Sequence, residues 1–268
     1  MTDVPAPPGA TGDPCVRQEE IGAVTVLTLN RPGQGNALGS AMLAELGAAI
    51  AALRSSRTVR AVVLTGGGDM FCTGGDLAEL DKLANTCGAA ELTELADALA
   101  AVVRGIRALH VPVIAAVNGL AAGAGFSLAL ACDLRICADR GVFHFAYGAL
   151  GSSTDGGMSW LLPRIVGAGK ALTLLLDQPV LRAGAALELG LVSDVVPSAE
   201  LVDRAIRRGR QLAQLTPHVV RSTKQLVDLS SMLSFEQHLR REHDEVVKGL
   251  VSADVRRRLS ARQQADSR

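Results

Sequence analysis

The stretch Ala115-Ala116-Val117-Asn118-Gly119-Leu120-Ala121-Ala122-Gly123-Ala124-Gly125-Phe126-Ser127-Leu128-Ala129-Leu130-Ala131-Cys132-Asp133 carries more architectural information than any other part of the chain. It reads as a buried strand, a turn of small residues and the start of an apolar helix. A helix that begins this way leaves backbone N–H groups without partners at its positive end, where an anionic oxygen can be held. Glycine and alanine in the turn let a ligand approach the main chain closely. By itself the pattern is equally the packing of a strand against a helix, which many α/β proteins share.

Working outward, Ala61-Val62-Val63-Leu64-Thr65 is a short apolar and β-branched run that reads as a second buried strand. Gly66-Gly67-Gly68-Asp69-Met70-Phe71-Cys72-Thr73-Gly74-Gly75-Asp76-Leu77 follows it. The chain therefore holds two strand-to-turn junctions with small residues, and two convergent N–H donors are the usual device for holding a developing oxyanion.

Around these junctions, residues 16–20 and 23–29 read as strands joined at Gly22, and 30–39 as a loop. Ser40 reads as the N-cap of a helix running to about Arg54, with Met42, Leu43, Leu46, Ile50 and Leu53 at helical spacing. The polar stretch 77–88 reads as a mobile loop and 91–109 as a helix. Pro112 marks a break before a strand over 113–117, and 134–137 reads as the next strand. From Gly156 onward helices dominate. Alternating strands and helices followed by helices predict an α/β core with a helical C-terminal part. Three parts are expected: a disordered lead-in over 1–14, an α/β core over 15–197 and a helical region over 198–268.

Composition excludes several classes. The 27 basic residues are balanced by 27 acidic ones, which argues against a nucleic-acid surface. Aromatic residues make up only 3%, too few for base-stacking platforms. No apolar run is long enough to span a bilayer. Cys15, Cys72, Cys87, Cys132 and Cys137 lack metal-type spacing, and an odd count suggests free thiols in a reducing, cytoplasmic setting.

The chain resembles the crotonase superfamily of enoyl-CoA hydratases and isomerases. The resemblance rests on Leu29-Asn30-Arg31-Pro32 with Asn36-Ala37-Leu38, on residues 71–77 and on residues 115–133. It continues through Pro163-Arg164-Ile165-Val166-Gly167 and residues 185–197, and spans roughly 16 to 250 in family order. It implies a spiral of ββα units with a helical C-terminal trimerisation region. It also implies an acyl-CoA thioester as substrate, no cofactor beyond the coenzyme A of that substrate, no metal, and a homotrimer or dimer of trimers. Carried over residue by residue, the two oxyanion N–H groups fall on Gly75 and Ala124.

The catalytic side chains depart from the family's hydratases. Ser127 and Tyr147 stand where those enzymes place two glutamates, so the water-activating pair is absent. Asp155 matches the aspartate that family double-bond isomerases use to shuttle a proton between acyl carbons. Two readings of Asp155 stand, proton shuttle and N-cap before Gly156-Gly157. Burial would raise its pKa, whereas a helix N-terminus would lower it. Tyr147 reads as a hydrogen-bonding partner of Asp155 or as a pocket wall, and Ser127 as a local hydrogen-bonding residue.

Asn36, Ala37, Leu38, Phe71, Thr73, Asp76, Phe126, Ser127 and Trp160 are the remaining candidate substrate-binding positions, with core packing or turn formation as the alternative for each. Arg31 and Lys224 stand at family positions for coenzyme A phosphates. Family dehalogenases share the aspartate, but Ala100 replaces the histidine base they need. The resemblance therefore favours an acyl-CoA double-bond isomerase. An atypical hydratase working through one carboxylate and a non-catalytic acyl-CoA-binding protein are the rivals.

Overall fold

The chain opens with a hairpin, β1 (Val16–Ile21) and β2 (Val24–Leu29), turned at Gly22 in the left-handed region. The computed structural model describes residues 13–86, 89–253, 255–258 and 260. The expected lead-in lies outside these as far as residue 12, as do Cys87 and Gly88 of the expected 77–88 loop. After the hairpin come α1 (Ser40–Ser55), β3 (Ala61–Gly66), α2 (Leu77–Thr86), α3 (Ala89–Ala108), β4 (Val113–Val117), β5 (Leu120–Ala122) and α4 (Ala124–Ala131). Next are β6 (Leu134–Ala138), β7 (Val142–His144), α5 (Met158–Val166), α6 (Ala168–Asp177), β8 (Leu181–Arg182), α7 (Ala183–Glu188) and β9 (Asp194–Val196). Then follow α8 (Leu201–Leu212), α9 (Pro217–Leu229) and α10 (Phe235–Leu250).

A six-stranded sheet has the order β1-β2-β3-β4-β6-β9, parallel except for the β1–β2 hairpin. A smaller sheet has the order β5-β7-β8. The chain crosses repeatedly from the large sheet to the small one and then into helix. It does so from β4 to β5 to α4, from β6 to β7 and on to α5, and from β3 to Cys72, which bridges to Ala121 of β5. This is the ββα spiral that the resemblance implies.

The central strands β3 and β4 are buried on both faces, which is why they read as unbroken apolar runs. On one face Val24, Val26, Ala61, Val63, Ile114 and Ala116 pack under Leu201, Ala205 and Ile206 of α8. The alternate residues Leu27, Leu29, Val62, Leu64, Val113 and Ala115 join Leu46 and Ile50 of α1 and Leu99, Val102 and Ile106 of α3. The period of two places each set on its own side.

Three expectations need correction. Residues 77–86 form helix α2, not a loop. Asp76 Oδ1 accepts the Glu79 N–H at 3.2 Å, and Leu80 and Leu83 pack onto the core at helical spacing; the polarity belongs to the outer face. Ser40 is not an N-cap but the first residue of α1, because Gly39 takes the capping position. The Glu79 carboxylate accepts the Ser40 N–H at 3.0 Å and its hydroxyl, so α2 caps α1 from outside. Finally, the helical C-terminal half also contains β8 and β9, which are two and three residues long and too short to leave a pattern.

Candidate active site

The two junctions meet. Residues 72–75 are stitched on one side to the loop before α1, where Thr73 N donates to Gly35 O at 3.0 Å and Leu38 N donates to Gly74 O at 2.7 Å. On the other side Ala122 N donates to Cys72 O at 2.9 Å. Gly74 has φ +100°, a conformation that suits glycine. A Cβ on it would lie 2.8 Å from Ala122 O and 3.4 Å from Ala124 N. Gly125 lets α4 sit flush on the same segment, since a Cβ there would collide with the Cys72 carbonyl.

The Gly75 and Ala124 N–H groups consequently belong to adjoining segments of one cleft wall. Neither has an acceptor among the described residues. Ala124 is the first residue of α4, whose opening N–H groups are orphaned by helix geometry. Two such donors at the positive end of a buried helix can hold a developing negative oxygen.

They open into a cleft of about 690 Å³. Ala37, Thr73, Gly75, Asp76, Ala124, Tyr147 and Asp155 of the expected site residues all line it. Sequence reasoning missed the rest of the wall, which includes Leu77 and Leu80 of α2 and Ala146, Ala149 and Leu150. The reading of 77–88 as a loop hid the α2 part. Ala146 carries a signal only in the structure, a φ of +62° that is unusual for alanine.

Asp155 stands in a glycine-rich bend, with Gly156 and Gly157 both at positive φ. Gly157 takes the N-cap position of α5, so Asp155 is not its cap. Its Oδ1 instead accepts the Tyr147 hydroxyl at 2.8 Å. Partial desolvation raises the Asp155 pKa from its ordinary value, and the Tyr147 hydrogen bond works against that rise. Burial, followed by the charge of Asp155, pushes the Tyr147 phenol upward as well. Tyr147 combines both expected roles, with its ring on the wall and its hydroxyl on Asp155. Ser127 is fully buried behind them, 2.9 Å from the Tyr147 hydroxyl oxygen.

Besides Ser127, five candidate positions do not line the cleft. Phe71 and Phe126 are fully buried, and Phe126 packs against Phe143 and Phe145 at ring-centroid distances of 5.0 and 5.4 Å. Leu38 is a core residue whose N–H holds Gly74. Asn36 uses its side-chain amide to tie Gly67 O and Met70 O, at 3.0 and 2.8 Å, and so fixes the turn leading into residues 71–75. Trp160 is half-exposed on another face, where its ring stacks under the Arg164 guanidinium.

Lys224 is also no free cation, because its Nζ lies 2.7 Å from Asp133 Oδ2 and 3.2 Å from Val111 O. Arg31 remains at the cleft margin, 3.9 Å from Asp76. Burial pushes the Cys72, Cys132 and Cys137 thiols up to about 12, which leaves them unreactive. Among the described residues no cluster of His, Cys, Asp and Glu is arranged to hold a metal ion, and no helix is long and apolar enough to cross a membrane.

Fold and cleft together define an α/β protein with two main-chain donors and the Tyr147-bonded carboxyl of Asp155 on one cleft wall. Residues 19–262 match the family model described as enoyl-CoA hydratase/isomerase. The chain is an enzyme of this family, the crotonase superfamily.

The chain is 36% identical over 243 residues to the 1,2-epoxyphenylacetyl-CoA isomerase of Escherichia coli K12, covering 89% of this chain and 91% of that protein. It is 35% identical over 225 residues to a short-chain-enoyl-CoA hydratase of Clostridium acetobutylicum, covering 81% and 85%. A 4-chlorobenzoyl coenzyme A dehalogenase of Arthrobacter sp. is 31% identical over 251 residues, covering 94% and 91%. Among solved structures, an enoyl-CoA hydratase from Polaromonas sp. JS666 superposes with a TM-score of 0.88 at 34% identity, covering 93% and 97%.

Proposed function

We propose that this protein is an acyl-CoA double-bond isomerase, with Gly75 and Ala124 as oxyanion donors and Asp155 as the proton shuttle. The observation that carries the reading is the Asp155 carboxyl, hydrogen-bonded by Tyr147, on the wall that also holds both free N–H groups. Asp155 takes the C2 proton of a 3-enoyl thioester. Negative charge then spreads over the dienolate and collects on the thioester oxygen, where the two N–H groups stabilise it. Asp155 returns the same proton to C4, and the alkene now lies between C2 and C3. One carboxyl suffices because it acts first as base and then as acid. Asp76, the other carboxylate on the wall, is engaged with Arg31 and the start of α2.

The likeness to a short-chain-enoyl-CoA hydratase favours a second reading, hydration through Asp155 alone. Dehalogenation lacks support because Ala100 offers no base and no histidine lines the cleft among the described residues. A panel of 3-enoyl- and 2-enoyl-CoA thioesters in deuterated water separates the readings. Alkene migration with no hydroxy product is the expected result. A hydroxyacyl-CoA product would establish the hydratase instead, and binding without turnover would reject both.

The assembly we propose is a trimer or a dimer of trimers. Val227 of α9 and Phe235, Val246 and Leu250 of α10 are exposed apolar side chains that suit a helical interface. Light scattering on the purified chain should give three or six times the chain mass; a monomer would reject this assembly.

A further inference from the structure

Three contacts close a ring behind the cleft. The Tyr147 hydroxyl oxygen lies 2.8 Å from Asp155 Oδ1, Ser127 Oγ lies 2.9 Å from the Tyr147 oxygen, and Ser127 Oγ lies 3.0 Å from the Asp155 carbonyl oxygen. Ser127 is fully buried and Tyr147 nearly so. The one other acceptor near Ser127 Oγ is Gly123 O, at 3.5 Å, the limit of a hydrogen bond.

Counting protons separates the two states of Asp155. When it is ionised, two hydroxyl protons must serve three oxygen–oxygen contacts. Tyr147 gives its proton to the carboxylate. Ser127 then donates either to Tyr147 or to the Asp155 carbonyl, and the contact left over sets lone pair against lone pair. When Asp155 carries a proton, three protons serve three contacts. The carboxyl donates to Tyr147, Tyr147 to Ser127, and Ser127 to the Asp155 carbonyl, so the direction of the ring reverses and every contact is filled. A buried contact without its proton is unfavourable.

We propose that Ser127 is a positioning residue which, acting through Tyr147, weights Asp155 toward its proton-carrying form. The inference deepens the reading of Asp155 as the proton shuttle and rests on it. A carboxylate whose contacts are one proton short is a stronger base toward a carbon-bound proton than the same carboxylate with Tyr147 alone. The elements around Asp155 bring little other charge. Helix α3 presents Leu99 and Val103 beside Gly156 and Gly157, and α2 lines the cleft with Leu77, Ala78 and Leu80. Besides Tyr147, Asp76 is the other titratable side chain on the cleft wall among the described residues, with Arg31 as its partner.

The test is carbon-13 carboxyl NMR on the full chain with labelled aspartate, the Asp155 signal being assigned by its loss in Asp155→Asn. Ser127→Ala should weaken the proton affinity of Asp155 by roughly threefold to tenfold, as one hydrogen bond allows, because Tyr147 can then donate with no opposed lone pairs. Tyr147→Phe should strengthen it, because the carboxylate loses its donor. In the Tyr147→Phe background, Ser127→Ala should have no further effect. The acid limb of kcat/KM should follow each shift.

An unchanged or strengthened proton affinity in Ser127→Ala would overturn the proposal and leave Ser127 as packing. So would an undiminished Ser127→Ala effect in the Tyr147→Phe background. The titration is read without turnover, so its failure is distinct from failure of the isomerase reading. If alkene migration is absent but the midpoints move as stated, the isomerase falls and the role of Ser127 stands.

Discussion

Asp155→Asn is expected to lose alkene migration by about 10²- to 10⁴-fold in kcat, the usual range for removing a general acid–base, while still binding acyl-CoA thioesters. Asparagine has the same shape and its side-chain oxygen can still accept the Tyr147 hydroxyl, so the wall around it should persist. What it cannot do is take a proton from carbon. Steady-state kinetics on a 3-enoyl-CoA, with calorimetric titration of a non-reactive thioester, measure the two properties separately. Parental turnover in this variant would remove Asp155 from the mechanism.

The same substitution has a stability consequence of definite sign. The Asp155 pKa is raised in the folded state, so the native protein holds that proton at pH values where the unfolded chain has released it. Its contribution to stability is present below the unfolded pKa and is lost as pH rises through the folded one. At neutral pH the carboxylate is therefore a burden on the fold, and Asp155→Asn should melt no lower than the parent. A large fall in melting temperature would mean that the ionised side chain is holding the structure together.

Gly74→Ala is the second large effect. The added methyl group would press on the Ala122 carbonyl oxygen and come within 3.4 Å of Ala124 N, at a φ of +100° that alanine resists. The residue cannot relax toward Leu38, because its carbonyl already accepts the Leu38 N–H. The expected outcome is a displacement between the two donors and a loss of about 10²- to 10³-fold in kcat/KM, the scale of losing one oxyanion donor. Backbone strain of about 1–3 kcal/mol should also lower the melting temperature. A variant with parental kcat/KM would show that the amide pair takes no part in turnover.

Much of this arrangement is legible in the chain itself. The doubly covered strands announce themselves as unbroken apolar runs, and the glycines at 74, 75 and 123 mark where the main chain must be approached closely. What escaped notice depends on long-range contacts. Helix α2 is amphipathic, but its polar outer face dominates a local reading, and Glu79 capping α1 joins residues 39 apart. Phe71, Phe126 and Trp160 could not be sorted by type. The first two pack inward, while the third is left outside beside Arg164. Lys224 looks like a phosphate ligand until Asp133 is found beside it, 91 residues away in the chain.

Because both oxygen-holding groups belong to the main chain, side-chain scanning cannot delete them. Position 124 is alanine already, so truncation changes nothing there. At position 75 a new methyl group would meet Leu80 at 2.9 Å while leaving the N–H in place, and any loss measured would report crowding. Residue-by-residue truncation would thus miss the chemistry at the centre of the cleft. Only an amide-to-ester exchange in the backbone, made by chemical synthesis or by incorporating a hydroxy acid, would remove either hydrogen cleanly.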